Sequence, residues 1–194
     1  MTVRSRREFL RFGVGAGLAA LAAPRPAFAT AASTAQRAAI LARALSYEQT
    51  LADRAGKTVD LLLIHDASSG TRSEALEWWT AFEALSGVRV DGRPLRAQIA
   101  TLNDDLPEIF SRGVVDVAIA CGDVSDDLVS TVSTLTRGTR TLSVATRRKQ
   151  VEDGLTLGVI KESEKVRILV NLRAAEREGV RFSAKLLKLA EILR

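Results

Sequence analysis

Two nearly continuous apolar runs, at residues 58–64 and 114–121, with a further strand read at 141–146, decide what this 194-residue chain can fold into. Unbroken rather than alternating hydrophobicity marks strands covered on both faces. Between the runs the spacing turns helical. Ile40, Leu41, Ala44, Leu45 and Leu51 predict a helix over 34–54, with Gly56 beyond its end. Ala75, Leu76, Trp79, Phe82 and Leu85 predict another over 72–85, stopped by Gly87. A strand at 95–99, a short helix at 104–112 with Pro107 in its first turn, and a helix at 126–136 behind a Ser125 cap continue the alternation. Residues 155–160 and 166–171 flank Lys161-Glu162-Ser163-Glu164-Lys165, a hairpin with a charged turn. A short helix from Arg173 to a break at Gly179, then a helix over 184–193 behind Ser183, close the chain. The pattern predicts an α/β fold: a mostly parallel sheet covered by helices on both faces, with a C-terminal antiparallel hairpin and a closing helix.

The first 29 residues read differently. Ser5-Arg6-Arg7-Glu8-Phe9-Leu10-Arg11 is a twin-arginine export motif, with Arg6 and Arg7 its defining pair. An apolar run at 12–23 follows, then Ala27-Phe28-Ala29, a small-x-small cleavage site. The run is too short to remain as a membrane anchor. Residues 1–29 are therefore read as a cleaved signal peptide and residues 30–194 as one domain delivered to the periplasm, with no direct membrane span after cleavage. Cleavage removes five arginines and one glutamate, leaving 23 basic and 22 acidic side chains (28 minus 5 and 23 minus 1). Such a balance supplies no electrostatic case for nucleic acid.

Chemistry-bearing residues are few. Cys121 is the single cysteine, so no intramolecular disulfide can form, and its place at the end of an apolar run predicts burial. His65 is the single histidine, and no ligand spacing suggests a metal site or a cofactor. Two predicted strand ends are polar: His65, Asp66, Ser68 and Ser69 at one, Gly122 and Asp123 at the other. In an open α/β sheet ligands lie beyond the carboxyl ends of the strands, so these residues are candidate walls of a small-molecule crevice. Strand ends are also polar simply because the chain turns there. A Cys121–His65 pair would need hydrogen-bonding reach and an orienting group, which sequence does not display, and no catalytic residue is assigned. Of the adjacent tryptophans, Trp79 shares a face with Leu76 and Phe82 and is expected in the core. Trp78 is then expected at the edge of that face, as a partner anchor or folded over its own helix. Lys161, Glu162 and Lys165 of the charged hairpin are the other candidate partner contacts.

The C-terminal third resembles the YfiR-type family of small periplasmic proteins. The resemblance is carried by Gly154-x-x-x-Gly158-Val159, by Lys165-Val166-Arg167-Ile168-Leu169-Val170-Asn171-Leu172, by Ala174-Ala175, by Gly179-Val180-Arg181-Phe182-Ser183 and by Lys185-Leu186-Leu187-Lys188-Leu189-Ala190. It implies an α/β domain, commonly dimeric and without enzymatic activity, in which Asn171 ends a strand. It also implies a regulatory role: binding and restraining the periplasmic domain of an inner-membrane diguanylate cyclase or similar signalling protein, and so cyclic-di-GMP control. Family members of the restraining type carry disulfides, which Cys121 alone cannot make within one subunit. The alternative reading is a single-lobe periplasmic small-molecule binding protein.

Overall fold

The computed structural model describes residues 28–102 and 104–193. The twin-arginine motif with Arg6 and Arg7 and most of the expected signal peptide lie outside the described residues, while Phe28 and Ala29 open the first helix. The elements run α1 (Phe28–Leu45), α2 (Leu51–Arg54), β1 (Val59–His65), α3 (Ser69–Ala84), β2 (Arg89–Val90), β3 (Arg93–Thr101), α4 (Leu106–Ser111) and β4 (Val117–Ala120). They continue through α5 (Asp126–Thr139), β5 (Leu142–Ala145), α6 (Arg148–Glu152), β6 (Leu157–Glu162), β7 (Lys165–Asn171), α7 (Leu172–Glu178), α8 (Ala184–Leu187) and β8 (Glu191–Leu193).

The strands form one eight-stranded sheet in the order β2-β3-β1-β4-β5-β6-β7-β8. The pairs β3–β1, β1–β4, β4–β5 and β5–β6 are parallel. The strand order therefore reverses between β1 and β4, the doubly wound arrangement with its switch point there. Side-chain alternation sends Leu61 and Leu63 of β1 to one face, with Leu41, Leu45 and Trp78. It sends Leu62 and Ile64 to the other, with Phe110, Leu128 and Val132. The fold is the mixed α/β architecture that the apolar runs predict.

Four local differences have physical causes. The helix expected over 34–54 breaks after Leu45 because the Glu48 carboxylate accepts from the backbone N–H and hydroxyl of Thr50 and from Arg54. The freed backbone is taken up by the 181–183 segment, where Gln49 N–H donates to Arg181 and Glu48 bridges Phe182. β2 is an addition: Asp91 and Gly92, both at positive φ, form a tight turn that folds it onto the start of β3. α6 stands in what sequence leaves as a loop, and Gln150 of its first turn accepts from the N–H groups of Thr146 and Arg147. The expected helix over 184–193 is only the four residues of α8. The chain then pairs β8 with the outer edge of β7, whose backbone groups would otherwise lack partners. Asn171 ends β7 and caps α7, its side chain accepting from Ala174 N–H at 3.0 Å.

Glu178 at the end of α7 ties three elements together from within. It is buried and accepts from Thr136 Oγ1 at 2.8 Å, Thr156 Oγ1 at 2.7 Å and Ser143 N–H at 3.0 Å. Burial pushes its carboxyl above the ordinary 4.5 despite the hydrogen bonds from Ser143, Thr156 and Thr136. The folded state thus holds this proton to higher pH than the unfolded chain, so this contribution to stability is largest below pH 4.5 and falls as pH rises through the folded value. Glu178→Gln keeps an acceptor for Ser143 and lets its amide donate to Thr136, so its stability at neutral pH stays within about 1 kcal/mol of the parent or exceeds it. Glu178→Leu strands Ser143 N–H and the Thr156 hydroxyl, while Thr136 keeps the Val132 carbonyl, and costs about 2–5 kcal/mol. Urea denaturation of both variants across pH 4–8 checks the pair.

Candidate functional site at the strand carboxyl ends

The switch point brings the two polar strand ends together. Ile64 of β1 lies beside Ala120 of β4, so the His65–Ser69 and Gly122–Asp123 stretches follow from neighbouring strands. α3 begins over the first and α5 over the second, and both helix starts carry a serine cap: Ser68 for Thr71 N–H and Ser125 for Leu128 N–H.

Asp66 fills the notch between those helix starts. Its carboxylate accepts from Ser68 N–H at 2.9 Å and from the Thr71 hydroxyl. Burial alone would raise its carboxyl, but hydrogen bonds from Thr71 and Ser68 and from the backbone N–H groups of Ser68 and Ser125 outweigh it and hold it below 3.8. The Ser125 contact crosses the switch point. Gly122, at φ 84°, closes the notch from the other side: a Cβ there would sit 3.1 Å from Thr71 Cα. Its N–H donates to Thr146 Oγ1 at 2.9 Å. Asp66, Ser68 and Gly122 are thus brought together, but Asp66 and Ser68 engage each other and Thr71, and Gly122 engages Thr146 and Gln150. Ser69 and Asp123 are exposed beside them. His65 is buried, its Nδ1 turned to the carbonyl oxygen of Asp66.

Cys121 does not meet His65 as a nucleophile meets its base. It is 0% exposed, and its thiol donates weakly to the Ile119 carbonyl at 3.6 Å. Burial, with the nearby Glu74 carboxylate, pushes the thiol well above its ordinary range, opposite to what a nucleophile needs.

Two open grooves flank the filled notch. One, of about 510 Å³, is lined by His65, Ala67, Arg72, Leu76, Ile99 and Thr101. The other, of about 530 Å³, lies over Arg37, Gly70, Ser73, Glu77, Arg147 and Lys161, around a half-buried ion cluster centred on Glu74. Arg147 holds Glu74 through two hydrogen bonds, 3.1 and 2.6 Å long, and Arg37 adds a third at 3.3 Å. Burial opposes ionisation of Glu74, but Arg147 first and Arg37 second hold its carboxyl below the usual range. Sequence reasoning misses this cluster because Glu74 lies 37 residues from Arg37 and 73 from Arg147. Among the described residues, no group of three or more His, Cys, Asp or Glu is placed to hold a metal ion.

The cluster corrects the reading of the tryptophans. Trp78 is 0% exposed and Trp79 is 39% exposed, the reverse of the expectation. Trp78 lies under the Arg37 guanidinium at 5.0 Å, stacks on Phe82 at 5.7 Å and donates Nε1–H to Glu74. The inward stripe of α3 is therefore Thr71, Ala75, Trp78 and Phe82, with Leu76 on the outside. Ala75 on that stripe is the signal that could have separated the two rings, since a small residue one turn away lets a large one lie flat against the sheet. Trp78 is no surface anchor. The hairpin also differs from expectation. Only Ser163 and Glu164 form its turn, Lys161 and Lys165 are exposed strand residues, and Glu162 is engaged by Arg148 at 2.8 Å. Trp78→Ala should cost about 3–5 kcal/mol, and Trp79→Ser less than about 1 kcal/mol, in urea denaturation.

Comparison with known proteins gives fold and family separately. Three solved structures share the fold at low identity. A Vibrio cholerae conserved domain protein matches at TM-score 0.54 and 12% identity, over 83% of this chain and 60% of that one. CD0873, a Clostridium difficile substrate binding protein with adhesive properties in its ligand-free, open form, matches at 0.51 and 14%, over 75% and 58%. A Streptococcus pneumoniae ABC domain in complex with L-Trp matches at 0.50 and 11%, over 77% and 60%. This chain thus spans about 60% of the length of these structures. No curated protein matches. The YfiR/HmsC-like family model, in contrast, matches residues 34–191, which takes in β1 to β7, the first residue of β8 and all but the start of α1. The chain belongs to the YfiR/HmsC-like family.

Proposed function

We propose that this protein is a non-enzymatic periplasmic regulator that binds and restrains the periplasmic domain of an inner-membrane diguanylate cyclase or similar signalling protein. The observation that carries the reading is family membership over nearly the whole sheet, since the YfiR-like family is one of periplasmic, non-catalytic regulators. The site chemistry agrees with it. Cys121 is buried, which pushes its thiol well above the ordinary range, and Asp66 is satisfied by Ser68 and Thr71. Export by the twin-arginine route and assembly as a homodimer belong to the same proposal. Among the described residues no helix is long and apolar enough to cross a membrane.

A second reading, a single-lobe small-molecule binding protein, is favoured by one observation. The groove over Arg37, Arg147 and Lys161 lies at the strand carboxyl ends, where α/β domains take ligands. The test is an affinity capture of the tagged mature protein on solubilised native membranes, with cellular cyclic-di-GMP measured in a strain lacking it. The proposal expects recovery of an inner-membrane diguanylate cyclase and a rise in cyclic-di-GMP on deletion. A well-folded bait that recovers no signalling protein, with cyclic-di-GMP unchanged, contradicts it and favours the small-molecule reading.

A further inference from the structure

The outer face of α1 differs from the rest of the surface. Its exposed stripe is Ala35, Gln36, Ala39, Arg43 and Ser46, small side chains around a single cation. No aspartate or glutamate occurs anywhere in α1. An apolar groove runs along each side of it. One, of about 360 Å³, separates α1 from β7 and α8 and is walled by Ile40, Tyr47, Ile168, Leu186 and Leu189. Leu189 is 71% exposed, the most open large apolar side chain in the described residues. The other, of about 500 Å³, separates α1 from the end of α3 and from β2, walled by Ile40, Leu85 and Val88.

The charge around this face has one sign. Arg43 lines both grooves, Arg167 the first and Arg89 the second. The single carboxylate in either lining is Glu191, and both of its oxygens are held by Arg148 at 2.8 Å. Arg167 makes a long contact to Glu162, at 3.8 Å, and its charge helps lower the Glu191 carboxyl. Arg43 and Arg89 have no ion-pair partner among the described residues. Lys185 and Lys188 of the α8 segment are exposed beside Leu189.

We propose that this face docks an amphipathic helix of the partner protein, apolar along its contact stripe and acidic along its flanks. The inference rests on the regulatory reading and adds the surface and the chemistry of its partner. Ala35 and Ala39 let a second helix approach closely, and side chains spaced at i, i+3 or i+4 and i+7 can enter the two grooves. Acidic flanks would then meet Arg43, Arg89 and Arg167, and apolar side chains would cover Ile40, Val88 and Leu189. A second copy of this chain fits poorly. Two-fold packing would bring Arg43 against its own copy, with no carboxylate on either α1 to answer it.

The test places a photoreactive benzophenone amino acid at position 39, and separately at position 134, in the full chain in its native cells. Ala39 is exposed on α1, and Thr134 is exposed on α5, which packs on the opposite face of the sheet. The expected result is an adduct at position 39 with a membrane-anchored signalling protein, mapped by mass spectrometry to an acid-flanked amphipathic helix, and none at position 134. Arg43→Glu with Arg89→Glu should cut that adduct at least tenfold while leaving the thermal midpoint of the purified protein unchanged. An adduct at position 134 alone leaves the regulatory reading standing and overturns this surface. An adduct at position 39 with a second copy, with lipid or with a helix lacking acidic flanks also overturns it. No adduct at either position overturns the surface, and recovery of a signalling protein in the membrane capture then leaves the regulatory reading standing.

Discussion

A doubly wound sheet creates a polar demand where its strand order reverses, because two helices begin there with N–H groups pointing into the same notch. Many α/β domains answer that demand with a bound anion or nucleotide. Here a side chain answers it. Asp66 leaves β1 and accepts hydrogen bonds from the Ser68 N–H and the Thr71 hydroxyl, while the Ser125 N–H across the switch point adds to the pull that lowers its carboxyl. One carboxylate thereby fixes the start of α3 and positions Thr71 where Gly122 must approach it. The notch that would hold a ligand is spent on holding the fold.

The second constraint is the ion cluster beside it. Glu74 is half-buried, and Arg147 and Arg37 both reach its charge. The bridges span α1, α3 and the loop after β5, and Trp78 fills the space beneath Arg37. α1 is therefore clamped at its N-terminal half to the strand-end face, while the chain after Leu45 is pinned to the 181–183 segment. A helix held at both ends can present its outer face as a fixed surface. That is the structural basis for assigning recognition to α1.

The frame was largely legible in sequence because continuous apolar strands and capped helices announce themselves locally. Residues 58–64 match β1 to within one residue at each end, 114–121 contains the shorter β4, Ser125 caps a helix and Asn171 ends a strand as expected. What failed was decided by distant partners. The Leu186, Leu187, Leu189 and Ala190 spacing suits a helix, yet pairing with β7 draws residues 191–193 into a strand. The choice between Trp78 and Trp79 was close on periodicity. It was settled by Arg37, 41 residues away (78 minus 37), and by an indole N–H that reaches Glu74. The strand-end residues were correctly brought together by the parallel order. That Asp66 would consume its neighbours' donors depended on loop geometry that spacing does not encode.

The central claim is that Asp66 serves as the domain's own anion at the switch point. Its most direct test is a carbon-13 NMR titration of the Asp66 carboxyl in the native protein, with urea denaturation of Asp66→Asn in parallel. A carboxyl titrating below the ordinary 3.8 contributes stability that is present above that pH and lost as pH falls through the folded value. The account predicts such a depressed titration, together with a loss of about 1–3 kcal/mol at pH 7 for Asp66→Asn. A carboxyl titrating at or above 3.8, with a variant as stable as the parent, would contradict it. The notch would then be open to a ligand.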